Sequence, residues 1–412
     1  MQARRRGYMA RGASSSSSRR QHKPDYLLLV LSAILLVSGL VVIYAISPGL
    51  AEQRGVGNDY YTIKQIISIF LGIVAFSLMA ITPYTAWRSL VKPLVAISIL
   101  ATLVALAMPV SEQYPAHRWI RLGSYSFQSV ELVKFSIIIA FSAFLADRMM
   151  KGEVSHKHKA IKPIAIAFSI IVLVVAGLQS DLGSTAVILA IMGSMWFIAG
   201  LPIRYIAIGL LVIGIVFALA ISTSGYRRER MLTFMHPEKD CSSAGYQACQ
   251  ALIAIGSGGM FGKGIGHSVQ AYGYLPEAAN DSIFAILGEK FGFLGMSLLI
   301  AVFWGLFARI KNIMIRAPDN FSRLAVTGVL AWLSTQTMIN IGAMIGLMPL
   351  KGITLPLVSY GGTSLIFVAA MIGLVFNISR YTTYGVSDTM AAEGHERAPS
   401  ARRVSHGYSV RR

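Results

Sequence analysis

YLLLVLSAILLVSGLVVIYAI, from Tyr26 to Ile46, carries no charged residue along its length. A helix of about 20 apolar residues crosses the hydrocarbon of a bilayer, so this run reads as a membrane span. A secretory signal peptide is the alternative at this end of a chain. Its apolar core, however, runs to about 7–15 residues, and the longer run here reads as an uncleaved first span. Working outward, similar apolar runs recur at 64–82, 91–110, 130–146, 162–178, 183–200, 204–223, 282–308, 323–347 and 361–379. The expected fold is an all-α polytopic membrane protein of about ten transmembrane helices.

Composition agrees with this reading. Only 13% of the 412 residues are charged, against about a quarter in soluble domains. A formal net charge of +19 would otherwise point to nucleic acid. Here the surplus sits in the tails and short loops, which is the positive-inside pattern of a membrane protein; no nucleic-acid partner is expected. Residues 1–24 form a basic arm containing Arg4, Arg5, Arg6, Arg11, Arg19, Arg20 and Lys23 around the serine run Ser14 to Ser18. Residues 385–412 form a second polar, basic tail, and both are expected to be disordered and cytoplasmic. With the first tail inside, the inner loops carry Arg88 and Lys92, then Arg148, Lys151, Lys157, Lys159 and Lys162, and later Arg309, Lys311, Arg316 and Arg323. An even number of spans returns the second tail to the same side.

The membrane domain then covers 25–384, with one large extracytoplasmic loop, 224–281, between the seventh and eighth helices. Rich in glycine and charge and without an evident helical period, the loop is the expected seat of chemistry, because long structured loops are usually functional. Tyr226-Arg227-Arg228-Glu229-Arg230 puts guanidinium groups on the side where cations are normally avoided. Arginine forks suit diphosphate oxygens; a belt touching lipid headgroups is the other reading. The stretch Gly256-Ser257-Gly258-Gly259-Met260-Phe261-Gly262-Lys263-Gly264-Ile265-Gly266 fails the Walker A spacing, since Ser257 and Gly264 stand where Gly and Ser or Thr are needed. Its amides are expected to be able to cradle a phosphate.

Four further features carry candidate chemistry. Glu131 and Lys134, three apart in the fourth span, share a helix face and are expected to pair and line a polar cavity; snorkelling at the interface is the alternative. Asp181, at the tight turn Gln179-Ser180-Asp181-Leu182-Gly183, reads as a helix N-cap. Glu277 and Asp281 stand four apart at the exit of the loop, and Asp281 taken alone also reads as a cap, with a general base as the alternative. Cys241 and Cys249 lie in an oxidising compartment, where a disulfide and two thiols are both open.

Several of these stretches resemble the SEDS family (shape, elongation, division, sporulation). The long stretch from Gly245 to Gly295, GYQACQALIAIGSGGMFGKGIGHSVQAYGYLPEAANDSIFAILGEKFGFLG, is similar to its signature loop. HRWIRLGSYSFQSVELVKFS from His117, QSDLGSTA from Gln179 and INIGAMIGLMPLKGITLPLVSYGGTSL from Ile339 match as well. Together they cover the chain from about 25 to 384, and the wording Lys351-Gly352-Ile353-Thr354-Leu355-Pro356 is most like the division branch. The resemblance implies a peptidoglycan glycosyltransferase of a bacterial inner membrane, enriched at the division septum, that polymerises lipid II into glycan strands. It implies a class B penicillin-binding protein as transpeptidase partner, alongside other divisome membrane proteins. It places the family's essential carboxylate on Asp281 as general base for an inverting transfer. Substrate contacts would fall on Arg118, Glu131, Lys134, Asp181, Arg227, Arg228, Arg230, Lys263 and Glu277. No ligand cluster in the sequence demonstrates a metal, although a divalent cation, Mg2+ or Mn2+, is compatible with diphosphate chemistry. Ala279-Asn280, Glu289-Lys290 and Ser129-Val130 depart from the usual His-Thr, Glu-Glu and Pro-Ser of the family. A lipid II flippase and a noncatalytic division scaffold are the competing readings. Against transport, no internal repeat is evident and the polar chemistry crowds the outer rim.

Overall fold

The computed structural model describes residues 22–109, 116–202 apart from 124, and 245–382, with scattered positions between 204 and 242. Apolar runs become helices wherever a capping or breaking residue delimits them. α1 (Tyr26–Arg54) starts at Asp25, whose side chain accepts from the amide of Leu28, and ends at Gly55 in the left-handed region. α2 (Tyr60–Ile81) stops ahead of Pro83, and the short α3 (Tyr84–Ser89) leads into α4 (Val91–Ala107). An antiparallel hairpin, β1 (Trp119–Leu122) and β2 (Tyr125–Gln128), pairs Trp119 with Gln128 and delivers the chain into α5 (Ser129–Met150). α6 (Lys157–Leu178) has a π-helical turn at each end, and α7 (Leu182–Ile198) follows. Beyond the sparsely described region come α8 (Tyr246–Gly258), α9 (Ile283–Ile315), α10 (Asn320–Met344) and α11 (Gly362–Ser379).

Seven of these helices are long and apolar enough to cross a membrane, and α4 and α7 are shorter apolar helices. Each expected span is matched by a helix except 204–223, which lies largely outside the described residues, as do residues 1–21, 226–240 and 383–412. α5, α10 and α11 form the buried centre. α11 packs along α2, α10 lies against α5 and α7, and α1 lies against α9. The outer helices leave Phe70, Leu78, Ile170, Leu298 and Trp304 exposed, as side chains that face lipid must be.

The expected loop 224–281 is not devoid of helix, because residues 246–258 form α8. Cys249, Ala251 and Ala254 are buried along it, and it packs on α9. The glycines that follow solve a backbone problem. α9 is broken at Gly292, with φ 65° and ψ −165°, and the turn at 259–264 is spliced into the gap. Carbonyls of Glu289 and Lys290 accept from the amides of Lys263 and Gly264 at 2.9 and 3.0 Å. Amides of Phe293 and Leu294 donate to the carbonyls of Gly259 and Met260 at 2.9 and 3.1 Å. A β-carbon on Gly262 would stand 2.2 Å from the Lys290 carbonyl oxygen, and one on Gly292 2.4 Å from the Gly262 nitrogen. Irregular backbone is thus satisfied by protein, as it must be near a membrane. The amides of Lys263 and Gly264 are spent on α9 and are not among those of the 256–266 stretch that could cradle a phosphate.

Candidate active site

Asp281 sits in the turn before α9. The N-cap position there is Ser282, which makes no side-chain cap hydrogen bond, so Asp281 does not fill the capping role that its place in the sequence allows. Asp281 is 7% exposed, and its carboxylate receives long contacts, 3.4 Å to each oxygen, from Gln247 Nε2 on α8. The same nitrogen donates to Ser282 Oγ at 3.1 Å. Burial, reinforced by the like charge of Glu277, pushes the Asp281 pKa up from 3.8 to about 7.

The turn is fixed from the opposite side by the segment between α10 and α11. Ser359 Oγ donates to the Asn280 carbonyl at 2.6 Å, and the Tyr360 amide donates to that of Ala279 at 2.8 Å. Asn340 Nδ2, on α10, donates to the carbonyls of both Asp281 and Ile353. A β-carbon on Gly352 would lie 3.9 Å from Asp281 Oδ2, so a residue without a side chain faces the carboxylate there. The turn before α7 touches the same segment, Gly183 lying against Ile353 and Lys351. Among the described residues, the non-glycine positions in the left-handed region are Ser180, Glu277 and Leu357, at φ 53°, 51° and 65°. Each belongs to one of these three converging turns. Backbone strain of this kind costs about 1–3 kcal/mol per residue and tends to collect at functional sites.

Glu131 and Lys134 do pair, at 2.7 Å, but they are 3% and 1% exposed and closed off rather than open to a solvent-filled cavity. Lys134 Nζ also donates to Gln336 Oε1 at 3.2 Å and lies 4.7 Å from the Trp332 ring centroid. Trp332 Nε1 donates to the same Gln336 oxygen, and Gln336 Nε2 donates to the Thr354 carbonyl at 3.0 Å. The pair therefore grips the 351–360 segment, which in turn grips the Asp281 turn. Asp181 caps α7, accepting from Ser184 N at 2.9 Å, and also meets Arg118 Nη1 at 3.2 Å. Gln179 Nε2 reaches Ser129 Oγ at 3.0 Å, joining this turn to the start of α5.

The remaining expected contacts are placed unevenly. Glu277 is exposed beside Asp281. Lys263 pairs with Glu289 at 3.3 Å, inside the spliced turn; Ser268 Oγ and the amides of Val269 and Gln270 complete the shell of that carboxylate. Arg227, Arg228 and Arg230 lie outside the described residues. Cys241 and Cys249 are joined in a disulfide, which ties the chain ahead of α8 to its first turns. Gln247, Asn340 and Gln336 were not singled out by sequence reasoning. The signal for the last two was present, since amides four apart in an apolar span share one face. Among the described residues no group of three or more His, Cys, Asp and Glu converges to hold a metal.

Below the Asp181 turn a cavity of about 710 Å³ lies between α4, α5, α6 and α7, lined almost wholly by apolar side chains such as Leu103, Val133, Phe144, Ile171 and Leu178. Its chemistry suits a hydrocarbon chain.

Residues 25–384 match the family model described as cell cycle protein, which groups FtsW, RodA and SpoVE. The chain is 33% identical over 363 residues to stage V sporulation protein E of Bacillus subtilis, covering 88% of this chain and 98% of that one. It is 35% identical to the probable peptidoglycan glycosyltransferase FtsW of Saccharophagus degradans, covering 86% and 92%. Among solved structures it resembles a chain from a peptidoglycan synthase complex that coordinates polymerization and crosslinking, with TM-score 0.72 and 26% identity over 88% of this chain and 99% of that chain. The rod shape determining protein RodA of Thermus thermophilus is similar at TM-score 0.61 and 26% identity, covering 88% and 98%. A chain matched by the family model from its first span to beyond its last, with the family's long signature stretches folded into one cluster of turns, belongs to the FtsW, RodA and SpoVE family of cell cycle proteins.

Proposed function

We propose that this chain is a peptidoglycan glycosyltransferase that polymerises lipid II, with Asp281 as the general base. The observation that carries the reading is a buried, uncapped carboxylate with its pKa near 7, held where three strained turns meet. A base is most effective when its pKa lies near the working pH, and few carboxylates meet that condition. Asp281 takes the proton of an acceptor sugar hydroxyl as that oxygen attacks the anomeric carbon of the donor. The new glycosidic bond forms with inversion as the bond to the lipid diphosphate breaks, and the diphosphate leaves with the electron pair. Positive groups would stabilise the developing charge, and Arg227, Arg228, Arg230 and Lys263 of the expected 224–281 loop are the candidates by their charge.

Glu131, Lys134, Arg118 and Asp181 serve as a frame beneath the substrates, through the contacts that link them to the 351–360 segment. Mg2+ or Mn2+ typically binds one or two carboxylates together with substrate phosphates; the exposed Glu277 would be the protein's carboxylate for such an ion, which would neutralise diphosphate charge and leave Asp281 free as the base. The 710 Å³ apolar cavity offers a place for a prenyl tail. By its charge pattern the protein keeps both tails on the cytoplasmic side, and its family membership supports a bacterial inner membrane and the division septum as its place of action. Its expected partner is a class B penicillin-binding protein that crosslinks the product.

Purified protein in liposomes, supplied with lipid II and its transpeptidase partner, tests the reading. The wild type should yield glycan chains, and Asp281→Asn should lower the rate at least 100-fold while staying folded, with a melting temperature no lower than the wild type's. Chains made at the wild-type rate by the variant would remove Asp281 from the base role. Lipid II crossing the bilayer without polymer would favour a flippase, and neither outcome a scaffold.

A further inference from the structure

The chain from α8 to α9 goes out and comes back. Gln247, in the first turn of α8, lies beside Asp281 and Ser282. At the other end of α8, a β-carbon on Gly258 would stand 2.0 Å from the Gly288 carbonyl oxygen. α8 therefore runs alongside the first part of α9 and in the same direction. After the turn at 259–264 the chain returns along α9. The Ile265 carbonyl accepts from Lys290 Nζ at 2.5 Å, Ser268 Oγ donates to Glu289 at 2.5 Å, and Ser282 Oγ donates to the Pro276 carbonyl at 2.9 Å. Residues 246–276 thus form a hairpin that leaves from the level of Asp281 and comes back to it.

The depth of its tip follows from α9. Arg309, followed by Lys311 and Arg316, marks where α9 leaves the hydrocarbon on the face away from Asp281, and its Nε donates to Asp25 at the head of α1. From there back to Gly292 the helix rises about 25 Å, about 5 Å less than the hydrocarbon is thick. Any tilt of α9 sets Gly292 deeper still. The 259–264 turn is bonded on both sides of Gly292, so it lies at the same depth. Its side chains suit that place. Phe261 is 80% exposed and Met260 55%. Leu252, Ile253 and Ile265 are exposed on the two arms, and Phe293, Leu294 and Leu298 continue the apolar face along α9. The charges at this level are closed off: Glu289 and Lys290 are buried against the returning arm, and Lys263 pairs with Glu289.

We propose that residues 246–276 are a re-entrant hairpin whose tip, Met260 and Phe261, is seated among the acyl chains of the leaflet on the Asp281 side. Non-helical backbone survives at membrane depth only where protein satisfies it, and the ladder across Gly292 does so. Acyl chains are favoured as the occupant because the tip continues the lipid-facing side of α9 without a polar break. Through Gln247 and the splice at Gly292, the insertion ties the height of the Asp281 turn to that leaflet. The assignment is independent of the chemistry proposed at Asp281.

The test puts a probe at the tip. The two cysteines of the chain are joined to each other, so Phe261→Cys offers a single thiol to a nitroxide label. The purified full-length protein is placed in nanodiscs of phosphatidylcholine and phosphatidylglycerol. Power-saturation electron paramagnetic resonance then reads collisions with oxygen, which concentrates in hydrocarbon, and with a nickel chelate, which stays in water. Leu298→Cys on the exposed face of α9 and Asn58→Cys in the exposed turn after α1 serve as references. The label at 261 should meet oxygen and be shielded from nickel, as at 298, and should read as shallower. Nickel access equal to that at 58 would put the tip in water and overturn the proposal. Shielding from both reagents would mean that a second copy of the chain covers the tip, and would overturn it too. Should the cysteine variant fail to fold, Phe261→Trp in lipids brominated near the headgroup end of the chain gives the same reading. Fluorescence quenching beyond that of the wild type supports insertion, and quenching equal to the wild type's overturns it.

Discussion

Asn340 donates its side-chain amide to the carbonyl of Asp281 at 2.8 Å, and the same group reaches the carbonyl of Ile353 at 2.7 Å. One buried amide thus clamps the turn that carries the candidate base to the segment that packs over it. Truncating Asn340→Ala strands two buried carbonyls, at about 1–3 kcal/mol each. Displacing a reacting group by about 1 Å can cost 10²-fold in rate. The variant should lose several degrees in melting temperature and about 10- to 100-fold in polymerisation rate, both measured on purified protein. A wild-type rate in a destabilised variant would mean that the clamp does not position Asp281.

The pH dependence separates the neighbours of Asp281. The base works ionised, so polymerisation should rise with pH through about 7, the value to which burial and Glu277 push it. Removing the like charge with Glu277→Gln should shift that limb to lower pH, whereas Gln247→Ala, which takes away a donor to the carboxylate, should shift it upward. The effect on stability has the opposite sense to an ordinary salt-bridged aspartate. Because the folded state raises this pKa, it holds a proton that the unfolded chain has released, and the contribution of Asp281 to stability falls as pH climbs from 3.8 towards about 7. Asp281→Asn should flatten this part of the stability profile. Denaturation curves at pH 5 and 8 would reveal it.

The Cys241–Cys249 bond closes a short loop that contains Gln247. Loop-closure entropy for so few residues is about 2–3 kcal/mol. Reduction, or Cys249→Ser, should lower the melting temperature and move the pH limb in the same direction as Gln247→Ala, since α8 then holds its amide less firmly against the carboxylate. Alkylation with and without prior reduction reports the state of the bond in protein from intact cells.

Gly262 and Gly292 meet so closely that neither has room for a side chain. Gly292→Ala adds both a steric conflict and a φ of 65° that alanine resists. Folded protein recovered from membranes should fall sharply, whereas Gly256→Ala, with open space around it, should be tolerated. Size-exclusion profiles of the two variants make the comparison.

Much of the fold was legible because the bilayer imposes one length and one polarity on every span, so the runs at 26–46 and 361–379 declared themselves. α8 was not legible, since its buried face is made of small residues, Cys249, Ala251, Ala254 and Gly258, that give little apolar contrast. The carboxylates Glu131, Asp181 and Asp281 stood out as charges among apolar residues. The roles of the first two in binding structure to structure did not, because the Glu131–Lys134 network runs through Gln336 to Thr354, more than 200 residues away in sequence. Left-handed Ser180, Glu277 and Leu357 carry no compositional mark at all, since their backbone angles are set by the packing of the three turns.

The break at Gly292 divides α9 into a short rod that leads from Asp281 and a long one, and the 259–264 turn splints the two, bonding to Glu289 and Lys290 before the break and to Phe293 and Leu294 after it. Whatever displaces that turn therefore moves both rods together, and the carboxylate with them.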